Sequence, residues 1–441
     1  MIQVDKLISA RWLATVDSNH SVLEDHCVIV HEKRIVEVLP TDLARQKYTS
    51  SREITLANHL LIPGLVNAHG HAAMSLLRGV ADDLPLQQWL EQHIWPLEGR
   101  FVSEEFVFQG AELAIAEMLL GGTTCFADMY FFPDAVAKAA SDAGMRVQLT
   151  SPILDFPTAW AQNADEYIQK ATKLHDDFRN SELVYTAFGP HAPYTVSDEP
   201  LRKIAVLSEE LDMPIHMHVH ETAEEVANAL SSNGKRPLER LGDLGLLGPR
   251  FVCVHATQLE HEEIEALARY SAHVVHCPES NMKLASGFCE VKKLLDANVN
   301  VAIGTDGCAS NNDLDMISEM RSAALLAKAV AGDASALPAQ LTLEMATRNG
   351  AKALGLEQDI GSIEAGKYAD LVAVSMDRIN TTPLYNPISQ LVYSSQANQV
   401  TDVWIAGKDI VQAGELQTLE LRGVIKQARE WQQRIANSSS E

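Results

Sequence analysis

Residues 61–71 read LIPGLVNAHGH and combine a Pro-Gly break, an apolar run and two histidines separated by one glycine. In an extended strand, side chains at positions i and i+2 point to the same side, so His69 and His71 can offer two imidazoles to one metal ion. An HxH pair also arises by chance in a chain with 16 histidines, and two solvated or internally hydrogen-bonded side chains are the ordinary alternative. The pair therefore gains meaning only from the histidines and carboxylates further along the chain.

The charge and composition of the 441-residue chain narrow its partners and its compartment. A net charge of −24 argues against nucleic acid and against an anionic membrane surface, and leaves a neutral or cationic small molecule as the expected partner. No apolar run approaches membrane-spanning length, the N-terminus lacks a basic leader, and the six cysteines show no CxxC spacing. We therefore expect a cytoplasmic protein with buried, unpaired cysteines. The sequence leaves the oligomeric state open, with a homo-oligomer among the alternatives.

The two ends of the chain are rich in predicted β-strands, and the middle has a different secondary-structure pattern. Short β-like runs separated by polar turns fill residues 1 to about 60, and the same pattern returns after about residue 368. These ends predict one small β-sandwich domain formed by residues 1–62 and 369–441. In the middle, 63–368, strand-like and helix-like stretches alternate, which is typical of a parallel sheet with crossover helices.

Eight strand candidates in this middle predict a (β/α)8 TIM barrel, an α/β fold of suitable length, as the catalytic domain. The catalytic side chains of such barrels lie at the C-terminal ends of the strands, so the residues just after each strand are the ones to inspect. The predicted strands are 61–67, 123–128, 145–150, 183–189, 214–219, 251–255, 273–276 and 301–305.

Histidines and carboxylates come after most of these strands. Such clustering at one end of a barrel favours a shared site over scattered structural roles. In chain order the candidates are His69 and His71, Asp128, His191, His218 and Glu221, His255, and Asp306.

We predict one divalent metal ion per subunit, held by three imidazoles and one carboxylate: His69, His71, His218 and Asp306. A catalytic site of this kind keeps an open position for water, whose pKa the metal lowers, and Asp306 can accept a proton from that water. Strand four, LVYTAFG, contains no lysine that could be carbamylated to bridge two ions, so one metal is favoured over two. Zinc is expected first, and such donor sets also accept iron, manganese or cobalt.

Strand five carries an ambiguity and a candidate proton carrier. In an extended chain His216, His218 and His220 share one face, so their spacing does not rank them. Only a residue at the end of the strand should reach the metal, and choosing His218 places Glu221 three residues further on. Its carboxylate can move a proton from water to substrate, although a plain charge at a helix N-terminus is the alternative. His255, at the end of strand six, can hydrogen-bond the attacking oxygen or serve as a core histidine.

Six longer motifs accompany these residues: PGLVNAHGH at 63–71, GPHAPY at 189–194, HxxE at 218–221, VHAT at 254–257, HCPESNMKL at 276–284 and TDGCASNNDLDM at 305–316. In this combination they resemble the amidohydrolase superfamily, and within it the branch of cytosine- and adenosine-type deaminases and triazine hydrolases. The resemblance covers nearly the whole chain. It implies a (β/α)8 barrel with a β-sandwich from both termini, the four metal ligands given above, proton transfer by Glu221 and assistance from His255.

Within that branch the chain most closely resembles the 5-methylthioadenosine/S-adenosylhomocysteine deaminases, through DDLPLQQWLEQHIWPLEGR at 82–100. The likeness implies that Trp89 lies along a purine, that Glu98 accepts hydrogen bonds from ribose hydroxyls and that His191 contacts the sugar or its 5′ side. The implied reaction is hydrolytic deamination of 5′-methylthioadenosine, and also of S-adenosylhomocysteine or adenosine, to an inosine-type nucleoside and ammonia. Candidates for binding a homocysteine carboxylate are Arg146 and Arg179.

Other functions stay open at this point. A deaminase of guanine or another purine base, or an s-triazine hydrolase, would share the metal site but would not need a carboxylate that binds a diol. A scaffold without activity would not need the ligands at all. The sequence does not decide the roles of five further residues, although a hydrogen bond to loop backbone is expected for the first: Asp128, His216, His220, His276 and Ser310.

Overall fold

A computed structural model describes residues 1–438; residues 439–441, the end of the predicted β-domain segment, lie outside the described residues. Within residues 1–438 the strands form two sheets of eight strands each. One sheet is parallel throughout and consists of eight consecutive strands, each followed along the chain by helical segments. The strands are β5 (Leu65–Gly70), β6 (Thr123–Asp128), β7 (Arg146–Ile153), β8 (Val184–Pro190), β9 (Ile215–Val219), β10 (Phe251–His255), β11 (His273–His276) and β12 (Asn300–Ile303).

The parallel sheet curves round until its last strand meets its first. The backbone N–H of Asp306, just past β12, donates to the carbonyl of His69 on β5 over 3.0 Å. At the same seam a Cβ on Gly304 would lie 2.7 Å from the backbone nitrogen of His69, so only glycine permits this close approach. The predicted (β/α)8 barrel is therefore confirmed.

The helices of the barrel bury one face and expose the other. In the helix Ala164–Phe178, Asn163 caps the N-terminus by accepting from the backbone N–H of Glu166. Its buried residues Tyr167, Ile168, Ala171 and Leu174 recur at helical spacing and pack against the sheet. The helices are α1 (Thr41–Lys47), α2 (Leu86–Trp89), α3 (Trp95–Phe101), α4 (Glu104–Leu120), α5 (Pro133–Ala143), α6 (Ala164–Phe178), α7 (Asp198–Leu211), α8 (Ala223–Asn233), α9 (Pro237–Asp243), α10 (His261–Tyr270), α11 (Pro278–Lys283), α12 (Val291–Asp296), α13 (Met316–Ala331), α14 (Ala339–Met345), α15 (Arg348–Ala353), α16 (Pro387–Tyr393) and α17 (Leu421–Ser438).

The second sheet joins the two ends of the chain, as the sequence predicted. Its N-terminal and C-terminal halves meet where Leu371 pairs with Pro63. Alternate residues of one strand enter different apolar clusters, for example Ile8 in one and Leu7 in another, so both faces of the sheet are covered. Its strands are β1 (Ile2–Ala14), β2 (Val22–His31), β3 (Arg34–Pro40), β4 (Tyr48–Pro63), β13 (Leu371–Ser375), β14 (Val400–Ile405), β15 (Lys408–Gln412) and β16 (Glu415–Leu416).

The chain passes from one sheet to the other at Gly64. The single strand predicted at 61–67 is wrong, because residues up to Pro63 end β4 and the barrel strand begins only at Leu65. A Cβ on Gly64 would lie 1.9 Å from Oγ1 of Thr124, because the Thr124 side chain occupies the space that a side chain at residue 64 would need. The domain limits 1–62, 63–368 and 369–441 stay a prediction.

A buried ion pair links the two sheets at the N-terminal end of the barrel. Arg146, the first residue of β7, is fully buried and donates through Nε and Nη2 to the carboxylate of Asp370 over 3.1 and 3.2 Å. The same carboxylate accepts the backbone N–H of Ala406 over 2.7 Å. Because separating such a pair would leave a buried charge without its partner, this contact ties the barrel to the β domain.

The cysteines and the helices bear on two further expectations. All six cysteines are buried and unpaired, as predicted. Among residues 1–438, no helix combines the length and apolar character that crossing a membrane requires.

Candidate active site

Four imidazoles and one carboxylate converge at the C-terminal ends of the barrel strands. The Nε2 atoms of His69 and His218 lie 3.1 Å apart, and Oδ1 of Asp306 lies 3.5 Å from Nε2 of His69 and 3.2 Å from Nε2 of His71. His255 joins the same group, since its ligand atom lies within 4.8 Å of those of His69 and His218. The structure thus brings together all four predicted metal ligands and the predicted assisting histidine.

Each imidazole of this cluster is held by its far ring nitrogen. When Nδ1 donates to a group outside the cluster, Nε2 carries a free lone pair and faces inward, which is how metal-binding histidines are oriented. The pairs are His71 Nδ1 with the Met129 carbonyl (2.6 Å), His218 Nδ1 with the His191 carbonyl (2.7 Å), His255 Nδ1 with Oδ1 of Asn281 (2.8 Å) and His69 Nδ1 with Nε2 of His216 (2.9 Å). These donors fit a divalent metal ion.

The protonation states agree with this fit. Burial lowers the pKa of His69 to about 4 and that of His218 well below its usual value, so both imidazoles are neutral near pH 7. Burial alone would raise the pKa of Asp306, but the neighbouring His69 and His71 side chains hold it well below its ordinary range. Burial also disfavours charge on His71, but the adjacent Asp306 carboxylate outweighs it and raises the pKa of His71 to about 9, so a metal ion that binds here takes the place of a proton on Nε2. Imidazoles beside one ionised carboxylate are the donors that Zn²⁺ and similar ions take.

The loop after β12 orients Asp306. Its backbone lies in the left-handed region, at φ 62°, and Oδ1 accepts the N–H of Gly307 over 2.9 Å. Oδ2 accepts from the hydroxyls of Ser310 (2.9 Å) and Ser280 (2.6 Å). Ser310 therefore has a definite contact that the sequence left undecided. Ser280 was missed, although it lies in the HCPESNMKL motif.

Glu221 lies beside this cluster in a dry environment. Its Oε2 is 3.8 Å from Nε2 of His255, and burial raises the pKa of its carboxyl group. The backbone at Glu221 is fixed from both sides, because its N–H donates to Glu225 (2.8 Å) and its carbonyl accepts the Thr257 hydroxyl (2.7 Å). A carboxyl group with a raised pKa, held firmly beside the cluster, is suited to carrying a proton.

A cavity of about 320 Å³ opens above the cluster and contains the predicted substrate residues. Trp89 is 5% exposed and lines the wall, and Glu98 accepts a hydrogen bond from the Tyr130 hydroxyl over 2.7 Å. His191 lines the same cavity; burial lowers its pKa to about 4, so it enters any reaction as a neutral imidazole. Tyr130 was missed by the sequence analysis, because it lies in the loop after β6 with no distinguishing motif.

Several other residues lie away from the cavity. Asp128 accepts the backbone N–H of Ala72 over 2.6 Å, which agrees with the expected loop contact. His220 accepts the N–H of Leu238 (3.1 Å) and is structural, whereas neither ring nitrogen of His276 has a protein partner among the described residues. His216 contacts the cluster through His69.

The prediction that Arg146 or Arg179 binds a homocysteine carboxylate is wrong. Arg146 lies at the opposite end of the barrel, buried against Asp370, because its strand begins there. Arg179 comes just after α6 on the surface, where it pairs with Asp176 over 3.1 Å. Neither side chain can reach the cavity.

Comparisons with known proteins agree with this geometry. A family model described as the amidohydrolase family matches residues 60–410. The chain is 52% identical to a 5-methylthioadenosine/S-adenosylhomocysteine deaminase of Saccharophagus degradans, over 98% of this chain and 97% of that protein. It is 43% identical to a 5′-deoxyadenosine deaminase of Methanothermobacter thermautotrophicus, over 91% and 92% of the two chains.

A solved structure extends the likeness to three dimensions. The crystal structure of an adenosine deaminase from Xanthomonas campestris with bound zinc superposes with a TM-score of 0.98, at 52% identity and with 99% of each chain covered. The resemblance inferred from the motifs is therefore confirmed, and the chain belongs to the amidohydrolase family.

Proposed function

We propose that this protein is a metal-dependent hydrolytic deaminase of adenosine-type nucleosides, with 5′-methylthioadenosine as its expected substrate. The observation that carries the proposal is that Glu98 and Trp89 line the same cavity as the imidazole and carboxylate cluster and Glu221. The names of the relatives support the same activity, since they specify deamination of methylthioadenosine, S-adenosylhomocysteine and 5′-deoxyadenosine. A cytoplasmic location remains part of the proposal.

The ligands of the metal in this proposal are His69, His71, His218 and Asp306. Zinc is the ion we expect, because the donor set suits it and the adenosine deaminase of similar structure contains zinc. When bound, a divalent ion lowers the pKa of water toward neutrality and so supplies a nucleophile for hydrolysis.

The protein's own side chains then move the protons. Glu221 takes a proton from the attacking water and passes it to the purine ring nitrogen as oxygen bonds to C6. It then carries the remaining proton of that water from the C6 hydroxyl to the amino group, and ammonia leaves as the C6–N bond breaks. His255, whose Nε2 faces the cluster, hydrogen-bonds the attacking oxygen and positions it for reaction. Asp306, held by Ser280 and Ser310, orients the same oxygen.

The substrate is positioned by residues further up the cavity. The Trp89 ring supplies an apolar face for the purine, and the Glu98 carboxylate accepts hydrogen bonds from the two ribose hydroxyls. The Tyr130 hydroxyl fixes Glu98 by donating to Oε1, which leaves Oε2 for the sugar. His191, neutral and close to Thr195 (3.2 Å), can contact the sugar or its 5′ side.

An assay of ammonia release tests this proposal. The zinc-loaded protein should deaminate 5′-methylthioadenosine, and a chelator should abolish the reaction until zinc is added back. Guanine and an s-triazine should be poor substrates. Turnover of a free base or a triazine in preference to every nucleoside would contradict the proposal and favour the alternative activities of the family.

The variant Glu98→Gln tests the substrate pose. Loss of the charged acceptor should lower kcat/KM for the nucleoside by about 10- to 100-fold, while any slow reaction of free adenine changes less than about threefold. Tyr130→Phe is the matched control, because it removes the support of Glu98 but leaves its carboxylate, and it should cost less. Equal losses on nucleoside and free base would remove Glu98 from the ribose.

A further inference from the structure

Apart from the imidazoles of the cluster and His191, the charged groups that line the cavity are all acidic. They are the carboxylates of Glu98, Glu221 and Asp306, and the described lining residues include no lysine or arginine. Most of the remaining wall is apolar, with Leu86 among its side chains. A carboxylate carried into this space on a 5′ substituent would therefore find no lysine or arginine to pair with.

A wider space, here called the outer groove, adjoins the cavity. The outer groove has a volume of about 1170 Å³ and shares four lining residues with the cavity: Leu86, Phe156, Tyr194 and Leu284. A long 5′ substituent thus has room to extend beyond the cavity, so size alone does not exclude it. Five carboxylates line the outer groove: Glu91, Asp155, Asp198, Glu224 and Glu225.

The single basic residue among the described lining of the outer groove is already engaged. Arg240 donates to Oδ1 of Asp198 over 2.8 Å and to the carbonyls of Pro193 (2.6 Å) and Val196 (3.0 Å). Its charge is offset by Asp198, and its guanidinium is fixed to the groove wall. Arg240 therefore offers little to an incoming anion.

We infer that the cavity and the outer groove select against nucleosides whose 5′ substituent carries a carboxylate and accept those whose substituent is neutral or cationic. The inference rests on the proposed deamination and sharpens it: 5′-methylthioadenosine is a good substrate and S-adenosylhomocysteine a poor one. The physical reason is that desolvating a carboxylate without a cationic partner, and beside other carboxylates, is costly at every step up to the transition state.

The experiment compares three nucleosides on the zinc-loaded full-length protein. They are 5′-methylthioadenosine, S-adenosylhomocysteine, and the decarboxylated form of S-adenosylhomocysteine, which keeps the chain and its ammonium group but lacks the carboxylate. We expect kcat/KM for S-adenosylhomocysteine to be at least tenfold below that of the decarboxylated compound, on the scale of about 10- to 1000-fold for an unpaired charge.

The outcomes distinguish failure of this inference from failure of the proposed function. A difference smaller than tenfold between the two long nucleosides would overturn the inference, whether both react well or both react poorly, because the carboxylate would not be the deciding group. Deamination of 5′-methylthioadenosine in that case would leave the proposed function intact. If the zinc-loaded protein released ammonia from none of the three, the proposed function would fail, and the inference with it.

A pair of variants tests the electrostatic cause. Glu91 is exposed at the outer groove, outside the proposed machinery. Glu91→Arg should raise the ratio of kcat/KM for S-adenosylhomocysteine over 5′-methylthioadenosine by at least about threefold at low salt, and Glu91→Gln should raise it less. An unchanged ratio in Glu91→Arg, with 5′-methylthioadenosine activity retained, would contradict the electrostatic explanation.

Discussion

Two buried clusters of charged and polar side chains lie at opposite ends of the barrel, and they differ in where their polar atoms find partners. At the N-terminal end, Arg146 donates hydrogen bonds to the carboxylate of Asp370, which also accepts the N–H of Ala406. At the C-terminal end, the Nε2 atoms of His69 and His218 face each other at 3.1 Å. A closed set of partners stabilises the fold, whereas lone pairs that converge on one point require a ligand.

The largest expected effect comes from breaking the imidazole and carboxylate cluster at the C-terminal end of the barrel. His218→Asn should remove the bound metal and lower kcat/KM at least about 10³-fold, because one imidazole of the donor set is lost. The protein should still fold. Metal content by mass spectrometry, ammonia release and far-ultraviolet circular dichroism measure the three properties, and retention of one metal ion with near-normal activity would disprove the ligand role of His218.

Breaking the cluster of Arg146 and Asp370 should reduce the free energy of unfolding and leave kcat/KM unchanged. Asp370→Asn leaves the buried charge of Arg146 without its counterion, so the free energy of unfolding should fall by about 3 kcal/mol, as measured in urea. The folded fraction should keep its kcat/KM. Asp359→Asn is the matched control: its pair with Arg34 is partly exposed, and the loss should stay below about 1 kcal/mol. Equal losses in the two variants would refute the distinction.

A smaller effect is expected from the histidine that supports a ligand from behind. His216→Leu removes the partner of His69 Nδ1 and should weaken metal binding by about 10- to 100-fold in a competition titration with a chromogenic chelator. His276→Leu is the control, since His276 is equally buried in a neighbouring region of the barrel but has no protein partner among the described residues. Similar metal affinities in both variants would show that His216 does not position His69.

The smallest effect concerns the buried carboxyl group of Glu225. Burial raises its pKa to about 7, so the folded state binds the proton more tightly than the unfolded chain does. Stability should therefore fall as the pH rises from about 4.5 to 7, by about 1–3 kcal/mol from this group. Glu225→Gln should flatten that part of the profile of unfolding free energy against pH. A variant whose profile parallels that of the parent would exclude the effect.

The sequence predicted the barrel strands well where both faces of a strand are buried. The strands Thr123–Asp128, Phe251–His255 and His273–His276 have the predicted limits, because continuous apolar runs end there at polar residues. The prediction failed at 61–67, where one apolar run serves two sheets. The Pro-Gly pair at 63–64 marked the domain limit in the sequence, but only the structure shows that it also divides the run into two strands.

The site was predictable to the same extent and for a related reason. Ligands at strand ends, such as His69 and His218, are expected from the rule that barrel sites gather at one end. The groups that hold them, such as Ser280 and Asn281, come from helix α11 and reach the cluster only through the folded path of the chain. Arg146 shows the converse error, since a charged residue at the start of a strand lies at the far end of the barrel.

The sequence by itself determined the family, the barrel, the β domain from both termini and the residues proposed for the chemistry, because hydrophobic periodicity and motif spacing are local properties. The tertiary structure alone decided which nitrogen of each imidazole faces inward, which carboxylates line the route to solvent and which arginines are engaged elsewhere. Those features depend on contacts between residues far apart in the chain, such as Arg146 with Asp370 and Asp306 with Ser280. The pair at His69 and His71 thus indicates the chemistry, and the packing around the cavity carries the proposal about the substrate.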